Sequence, residues 1–251
     1  MALYSTKAIV LRNVDFSESD KLVTFMTEKY GKVKGVAKSA RKMKSRFGAA
    51  LEPMTHLQLI YFGKGNQNLF KLNNCDIIQS FQPIRENPDK LYTGIYFNEL
   101  IDTLLKEADH SEELYQLLLQ SLCRLQDHDN TETLRRLFEI RIIALLGYSP
   151  GLTHCMLCKT VPVSKWIGFS YNRGGVICGT CIDQVKPSVI FGVGTLNYLK
   201  KLLVLDINHS NRLKIPKGIE LEIENITHRL VLSHVGRELK SYPFIKDMAT
   251  L

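Results

Sequence analysis

The sequence predicts a mixed α+β protein of more than one domain, with a small five-stranded β-barrel first and an α-helical domain carrying a cysteine-rich insert after it. Three observations carry this. The spacing of apolar residues changes from period two to period 3.6 near residue 81. The excess positive charge is confined to the first third of the chain. Four of the six cysteines fall into two C-x2-C pairs. At 251 residues, 45% hydrophobic and 23% charged, the chain can bury a sizeable core. The expected boundaries are 1–80 for the barrel and 81–251 for the helical domain, with the insert at about 150–186.

The strands come first. Residues 3–12 (LYSTKAIVLR), 21–27 (KLVTFMT) and 32–38 (KVKGVAK) alternate apolar and polar side chains, as half-buried strands do. EKYG at 28–31 is a tight turn in which Gly31 can take positive φ. Two further strands follow at 54–63 (MTHLQLIYFG) and 69–81 (LFKLNNCDIIQSF), separated by KGNQN as a hairpin loop. Five short strands with a longer connection between the third and fourth suit a closed barrel of the OB type, with an SH3-like barrel the alternative.

Beyond Phe81 the pattern is helical. Asn87 is a suitable N-cap with Pro88 at the first helical position, and Leu91, Ile95, Leu100, Ile101, Leu104 and Leu105 form a stripe. A second helix spans Ser111 to about Gln126, with Leu114, Leu117, Leu118, Leu122 and Leu125 on one face. A third starts at Thr131 and is stopped by Gly147 and Pro150. Two more are expected at roughly 193–205 and 219–240. Each exposes a Leu-rich stripe when alone, so they should pack together.

Cys155, Cys158, Cys178 and Cys181 form C-x2-C, nineteen intervening residues, C-x2-C. Two such turns on facing hairpins complete a tetrahedral thiolate site, which predicts one Zn2+ per chain. Four protein ligands leave no open position, so the metal is expected to be structural. Trp166, Phe169 and Tyr171 are expected to pack around it, and His154 is a lesser candidate ligand. Cys75 and Cys123, among apolar neighbours, read as core residues.

No catalytic set emerges. His110-Ser111-Glu112 followed by CMLC superficially matches a zinc-deaminase pattern, but residue 154 is not Pro and the second cysteine pair would have no role. There is no phosphate-binding loop and no two-metal acidic cluster, and SESD at 17–20 shapes the turn into the second strand. The chain is therefore expected to bind rather than catalyse. It shows no secretory signal, and its longest apolar run is too short for a membrane helix, so a cytoplasmic, nucleoid-associated protein with reduced thiols is expected.

Residues 1–80 hold 13 Lys or Arg against 6 Asp or Glu, a balance of +7 out of a total of +8. Eight basic side chains and no acid lie between Lys29 and Arg46. Lys32 and Lys34 fall on one strand face, and Lys38, Arg41, Lys42, Lys44 and Arg46 follow in the long connection. A barrel face and its adjoining loop are where OB folds bind nucleic acid, and a merely solvated surface mixes its signs. These seven are the candidate DNA-binding residues. Tyr30, Phe47, Tyr61 and Phe62 are nearby candidates for base stacking or for core. The residues alone leave open an RNA- or ribosome-associated binding protein and a DNA-processing enzyme.

The segment KAIVLRNVDFSESDKLVTFMTEKYGKVKGVAKSARKMKSRFGAALEP resembles the N-terminal region of the bacterial RecO family. The E-S-D before the second strand, the T-x-x-x-G-K turn and the A-K-x-A-R-x-x-x-S-R loop carry the likeness. LLGYSPGLTHCMLC, GGVICGTC and VGRELKS are similar to the family's helical and zinc-bearing part. Two positions depart from the family pattern: Lys159, where Gly is frequent, and Ser39 after Lys38. The resemblance implies a recombination mediator in DNA repair. Such a protein binds single- and double-stranded DNA, anneals complementary strands, and works with RecR and the single-strand-binding protein to help load the RecA recombinase. It further implies that the zinc is dispensable to the family's activity, since some members lack the cysteines.

Overall fold

The protein is described by a computed structural model covering residues 2–63, 69–106, 111–127, 129–216 and 218–249. The chain divides into two compact units, Met1–Asp129 with Leu239–Leu251, and Asn130–Glu238.

In the first unit, β1 (Ala2–Asp15), β2 (Lys21–Thr27), β3 (Gly31–Ala37), β4 (His56–Gly63) and β5 (Phe70–Gln79) close into a barrel in the order β1-β2-β3-β5-β4. Closure is completed by β1 pairing antiparallel with β4 and by a short parallel contact between β3 and β5. Gly31 turns the β2–β3 hairpin at φ 65°, and Thr27 Oγ1 donates to its carbonyl at 2.7 Å. The KGNQN loop lies outside the described residues. The barrel interior holds Val10, Val23, Phe25, Val33, Leu57, Leu59, Tyr61, Leu72 and Cys75. Burial pushes the Cys75 thiol up to about 12, as for an inert core residue. Phe47 and Tyr61 also belong to the core rather than to a stacking surface, whereas Tyr30 is 38% exposed.

Three helices follow: α1 (Gln82–Arg85), α2 (Pro88–Leu104) and α3 (Glu112–Asp127). Asn87 caps α2 by accepting from the Lys90 N–H. The buried face of α2 is centred on Thr93, Gly94, Tyr96, Phe97, Leu100 and Ile101, so Leu91, Ile95 and Leu104 lie at its margin rather than in the expected stripe. Two large rings, Tyr96 and Phe97, are fully buried in that face. Asn98 Nδ2 donates to the Val10 and Leu11 carbonyls at 3.0 Å each, where a bulge in β1 breaks the pairing with β2. Asp102 receives Arg12 Nε at 2.7 Å and Lys32 Nζ at 3.3 Å, and its carbonyl accepts from Lys32 at 2.6 Å. In α3 the five expected leucines are all buried.

The second unit opens with α4 (Thr131–Ile143), capped by Asn130 and relaxing into one π-turn over Ala144–Tyr148, which Gly147 ends at φ 89°. The cysteine-bearing insert contributes β6 (Trp166–Ser170), β7 (Gly175–Ile177), α5 (Ile182–Val185) and β8 (Val189–Gly192), forming a sheet in the order β7-β6-β8. Then come α6 (Val193–Val204) and α7 (Glu220–Val235). The core between α4 and α7 contains a buried ion pair, Arg136 Nη1 to Glu139 Oε2 at 2.9 Å, to which Thr227 Oγ1 donates at 2.6 Å. Such pairs hold only because each remaining lone pair finds a donor.

The helix expected over 219–240 ends early. Gly236 takes φ 74° and closes α7 at Val235. A separate helix, α8 (Tyr242–Ala249), then returns to the first unit. Glu99 of α2 accepts the Lys240 and Ser241 N–H groups, both at 2.9 Å, satisfying donors at the start of α8. Phe244 stacks on Tyr92 with ring centroids 5.2 Å apart. Among the described residues, no helix is long and apolar enough to cross a membrane.

Candidate nucleic-acid interface and metal centre

The long connection after β3 is tightly held. Ala40, Phe47, Ala50 and Leu51 pack into or against the barrel core, which pins the segment at both ends and leaves residues 41–46 displayed between them. Successive turns fold it, Lys42 N to Ser39 O at 3.3 Å and Ser45 N to Lys42 O at 2.9 Å. The β1–β2 connection supplies a second anchor. Asp20 Oδ1 accepts the Ser39 N–H at 2.8 Å, and the Ser19 carbonyl accepts the Arg41 N–H at 3.0 Å. That Ser39 N–H, with help from Ser19 and Ser17 hydroxyls and Lys38, holds the Asp20 carboxyl below the usual carboxylate range. SESD thus does shape its own turn, since the Asp20 N–H donates to Ser17 Oγ at 3.1 Å, but it also fixes the basic loop. Ser39 stands at φ 59°, so the loop reverses there through a left-handed residue.

The anchored segment forms one side of an open cavity of about 390 Å³, lined by Lys38, Ser39, Lys42, Lys44, Ser45, Arg46 and Lys71. Five cationic side chains meet there with no carboxylate in the lining. Lys71 is the member that sequence reading did not single out. It lies on β5, and the parallel β3–β5 pairing sets it beside Val36, two positions before Lys38. Arg46 lies over the Phe47 ring at 4.9 Å. The other candidates sit differently. Lys34 is half-buried on β3 opposite Thr24. Arg41 is drawn to Asp15 at 3.2 Å and to the Ser17 carbonyl at 2.8 Å, bracing the loop. Lys32 does not share an open face with Lys34, because α2 covers it: its side chain is 7% exposed and committed to Asp102.

The four cysteines of the insert converge. The sulfurs of Cys155, Cys158, Cys178 and Cys181 all lie within 4.8 Å of one another, and Cys158 to Cys178 is 3.5 Å. A tetrahedral zinc with Zn–S of about 2.3 Å sets its sulfurs about 3.8 Å apart, so this donor set fits such an ion. Four thiolates this close cannot all ionise unaided. As thiols, Cys178 is brought down to about 6 chiefly by the Thr180 hydroxyl, and Cys181 is pushed up to about 12 chiefly by its hydrogen bond with Cys178. A bound cation would remove that conflict by taking every sulfur as thiolate.

Local sequence explains the convergence. Gly175 approaches Gly151 so closely that a Cβ would stand 2.5 Å from the Gly151 carbonyl oxygen. That contact, with Gly151 N to Gly174 O at 2.8 Å and Met156 N to Val176 O at 2.8 Å, lays the first cysteine turn beside β7. The surroundings of the sulfurs are aliphatic: Ile177 is buried with the cysteines, and Met156, Leu157, Ile182 and Val185 pack against them. The expected aromatic shell does not form. Trp166 is 53% exposed with Lys165 over its ring, and Phe169 packs against Tyr171 instead. His154 bonds to Thr153 and stands outside the four-sulfur group. Of the deaminase-like triplet, His110 lies outside the described residues.

Lys159, where the resemblance has glycine, turns the first cysteine pair at φ 63°, with its N–H donating to the Cys155 carbonyl at 3.0 Å. The left-handed region costs an L-residue about 1–2 kcal/mol, of which glycine gives back part through its own flexibility. Lys159→Gly is therefore expected to raise the stability of the metal-loaded protein by up to about 1 kcal/mol. Denaturant melts of the two proteins check this, and an unchanged or lower midpoint contradicts it.

Comparison with known proteins covers nearly the whole chain. A family model described as recombination protein O N terminal matches residues 1–81, and one described as recombination protein O C terminal matches residues 85–243. The DNA repair protein RecO of Symbiobacterium thermophilum is 33% identical over 251 residues, spanning 99% of this chain and 98% of its own. That of Pelotomaculum thermopropionicum is 32% identical over 245 residues, spanning 98% and 94%. That of Thermodesulfovibrio yellowstonii is 34% identical over 240 residues, spanning 93% and 94%.

Proposed function

The chain belongs to the RecO family of DNA repair proteins, and from that premise we propose that it is a recombination mediator that binds single- and double-stranded DNA and anneals complementary strands. The observation that carries this reading is the cavity on the barrel where five cations meet no acid. Lys38, Lys42, Lys44, Arg46 and Lys71 contact phosphates, Lys34 flanks them, and Arg41 holds the loop. Lys32 is left out, because its ammonium is already paired with Asp102. The strand order, with β3 beside β5 and β1 closing on β4, supports an OB-type barrel.

The physical case for annealing is simple. Two DNA strands repel through their phosphates, and a surface of concentrated positive charge lowers the cost of bringing them together. No step needs a nucleotide or a broken bond, so the activity is one of binding and not of catalysis. Family membership adds the partners: RecR, the single-strand-binding protein on coated DNA, and through them the RecA recombinase. The four cysteines hold one structural Zn2+, whose chemical contribution is to fix the insert by tying two turns together. Cys155, Cys158, Cys178 and Cys181 all serve as its ligands, which leaves no position for substrate.

The test is a fluorescence annealing assay with complementary oligonucleotides at fixed salt and without ATP. The protein is expected to accelerate duplex formation and to leave both strands uncut. Equal rates with and without protein would defeat the reading.

A further inference from the structure

Each cysteine turn carries a threonine two residues after one of its sulfurs, in Cys158-Lys159-Thr160 and Cys178-Gly179-Thr180. The spacing is repeated in the geometry. Thr160 Oγ1 stands 3.0 Å from Cys158 Sγ, and Thr180 Oγ1 stands 3.1 Å from Cys178 Sγ. Hydroxyl and sulfur could in principle exchange roles, but a metal-bound sulfur has lost its proton. With metal in place only the hydroxyl can donate. Cys155 is served differently, by the Cys178 backbone N–H at 3.3 Å. Cys181 has the Thr180 hydroxyl no nearer than 4.0 Å.

The two hydroxyls address a shared difficulty. Four thiolates around a divalent ion leave a net charge of −2, which the protein must offset with donors. Groups that hydrogen-bond to ligands fix their orientation and are worth about 10–100-fold in metal affinity at other sites. Cys158 is the exposed member of the set, so its second sulfur lone pair would otherwise face water and electrophiles. Its neighbour Cys178 is only 3.5 Å away, so two thiolates there repel each other and a paired donor on each relieves part of that repulsion.

Resting on the reading of the insert as a zinc site, we infer that Thr160 and Thr180 are positioning residues of that site, their hydroxyls donating to the Cys158 and Cys178 thiolates to hold the metal and shield the exposed sulfur. Serine keeps the donor and valine removes it at nearly constant volume, so the pair separates hydrogen bonding from packing.

The experiment uses the full-length chain, freed of metal under reducing conditions and titrated with Zn2+ against a chromophoric chelator. Co2+ uptake, followed by its thiolate charge-transfer band, gives a second reading. Thr160→Val and Thr180→Val are each expected to weaken Zn2+ binding about tenfold, and Thr160→Ser and Thr180→Ser to stay near wild type. In metal-loaded protein, iodoacetamide is expected to modify Cys158 several-fold faster in Thr160→Val. Valine variants that match wild type in both affinity and alkylation rate would overturn the inference. If a valine variant fails to fold, its serine counterpart decides. Wild-type affinity there supports the hydroxyl's role, and a loss there assigns the effect to the threonine methyl and overturns it. A wild-type protein that takes up neither ion would bring down the metal reading itself, an outcome distinct from a wild type that binds and variants that bind equally.

Discussion

Lys42→Glu, Lys44→Glu and Lys71→Glu combined will reduce DNA binding to the limit of detection and leave the fold unchanged. All three side chains line the cavity, all are exposed, and none belongs to the barrel core, so reversing them changes the local field without removing packing. If the five lining cations neutralise five phosphates of a single strand, log K falls against log salt with a slope near −3.5. That slope corresponds to roughly a hundredfold loss of affinity between about 50 and 200 mM salt. The triple variant retains Lys38 and Arg46, so whatever binding survives should show a slope near −1.4. Fluorescence anisotropy across a salt series measures both quantities, with circular dichroism as the check on folding. Wild-type affinity in the variant would place the DNA site elsewhere on the protein. A lowered affinity with an unchanged slope would point to a positioning role rather than to direct phosphate contact.

The second large effect is expected from the metal. Purified protein should contain one zinc per chain by mass spectrometry, and Cys178→Ser or a strong chelator should unfold the insert. The free energy of structural zinc in finger peptides is about 10–16 kcal/mol, comparable to the entire stability of a typical domain. The insert has few other resources: three short strands, a four-residue helix and a small aliphatic cluster around the sulfurs. Limited proteolysis reads the effect directly. New cleavage sites should appear between Cys155 and Gly192 in the variant or after chelation, and not in the metal-loaded wild type. Protein that carries no zinc, yet resists protease across this stretch, would show that the cysteines fold the insert without a metal.

Much of this architecture was legible in the sequence because the signals are local. Period-two alternation marks β2 and β3 to within a residue, and the Asn87-Pro88 cap marks the start of α2. The cysteine spacing brings all four sulfurs together as expected. What escaped depends on contacts between distant residues. Lys71 joins the basic loop only because β5 runs beside β3 when the barrel closes, and no local pattern records that register. Lys32 looks like any other surface lysine until α2 brings Asp102 over it. The helix α2 buries the face that carries Tyr96 and Phe97, whereas its leucine stripe points to a neighbouring one. Gly236 ends α7 inside the span that the apolar pattern extends to 240, and α8 beyond it has only eight residues in which to show a period. The burial of Arg136 with Glu139 depends on Thr227, which is 88 residues from Glu139 in sequence.

The clasp of Glu99 on the residues before α8 has a bearing on how the chain is built. Tyr242 and Ile245 are buried on a helix that packs against α2, which was made more than a hundred positions earlier. On the ribosome, the barrel strands emerge before Asn130–Glu238 and α8 emerges after the whole of that stretch has been made. Synthesis at about 5–20 residues per second leaves an interval on the order of ten seconds between them. Through that interval the nascent first unit lacks its last helix, with Tyr92 bare of Phe244 and the Glu99 carboxylate without the two amides it later holds. The intervening unit, whose two ends both lead back to the first, can meanwhile complete its own core. The module that begins later can thereby close before the one that begins earlier has its last helix.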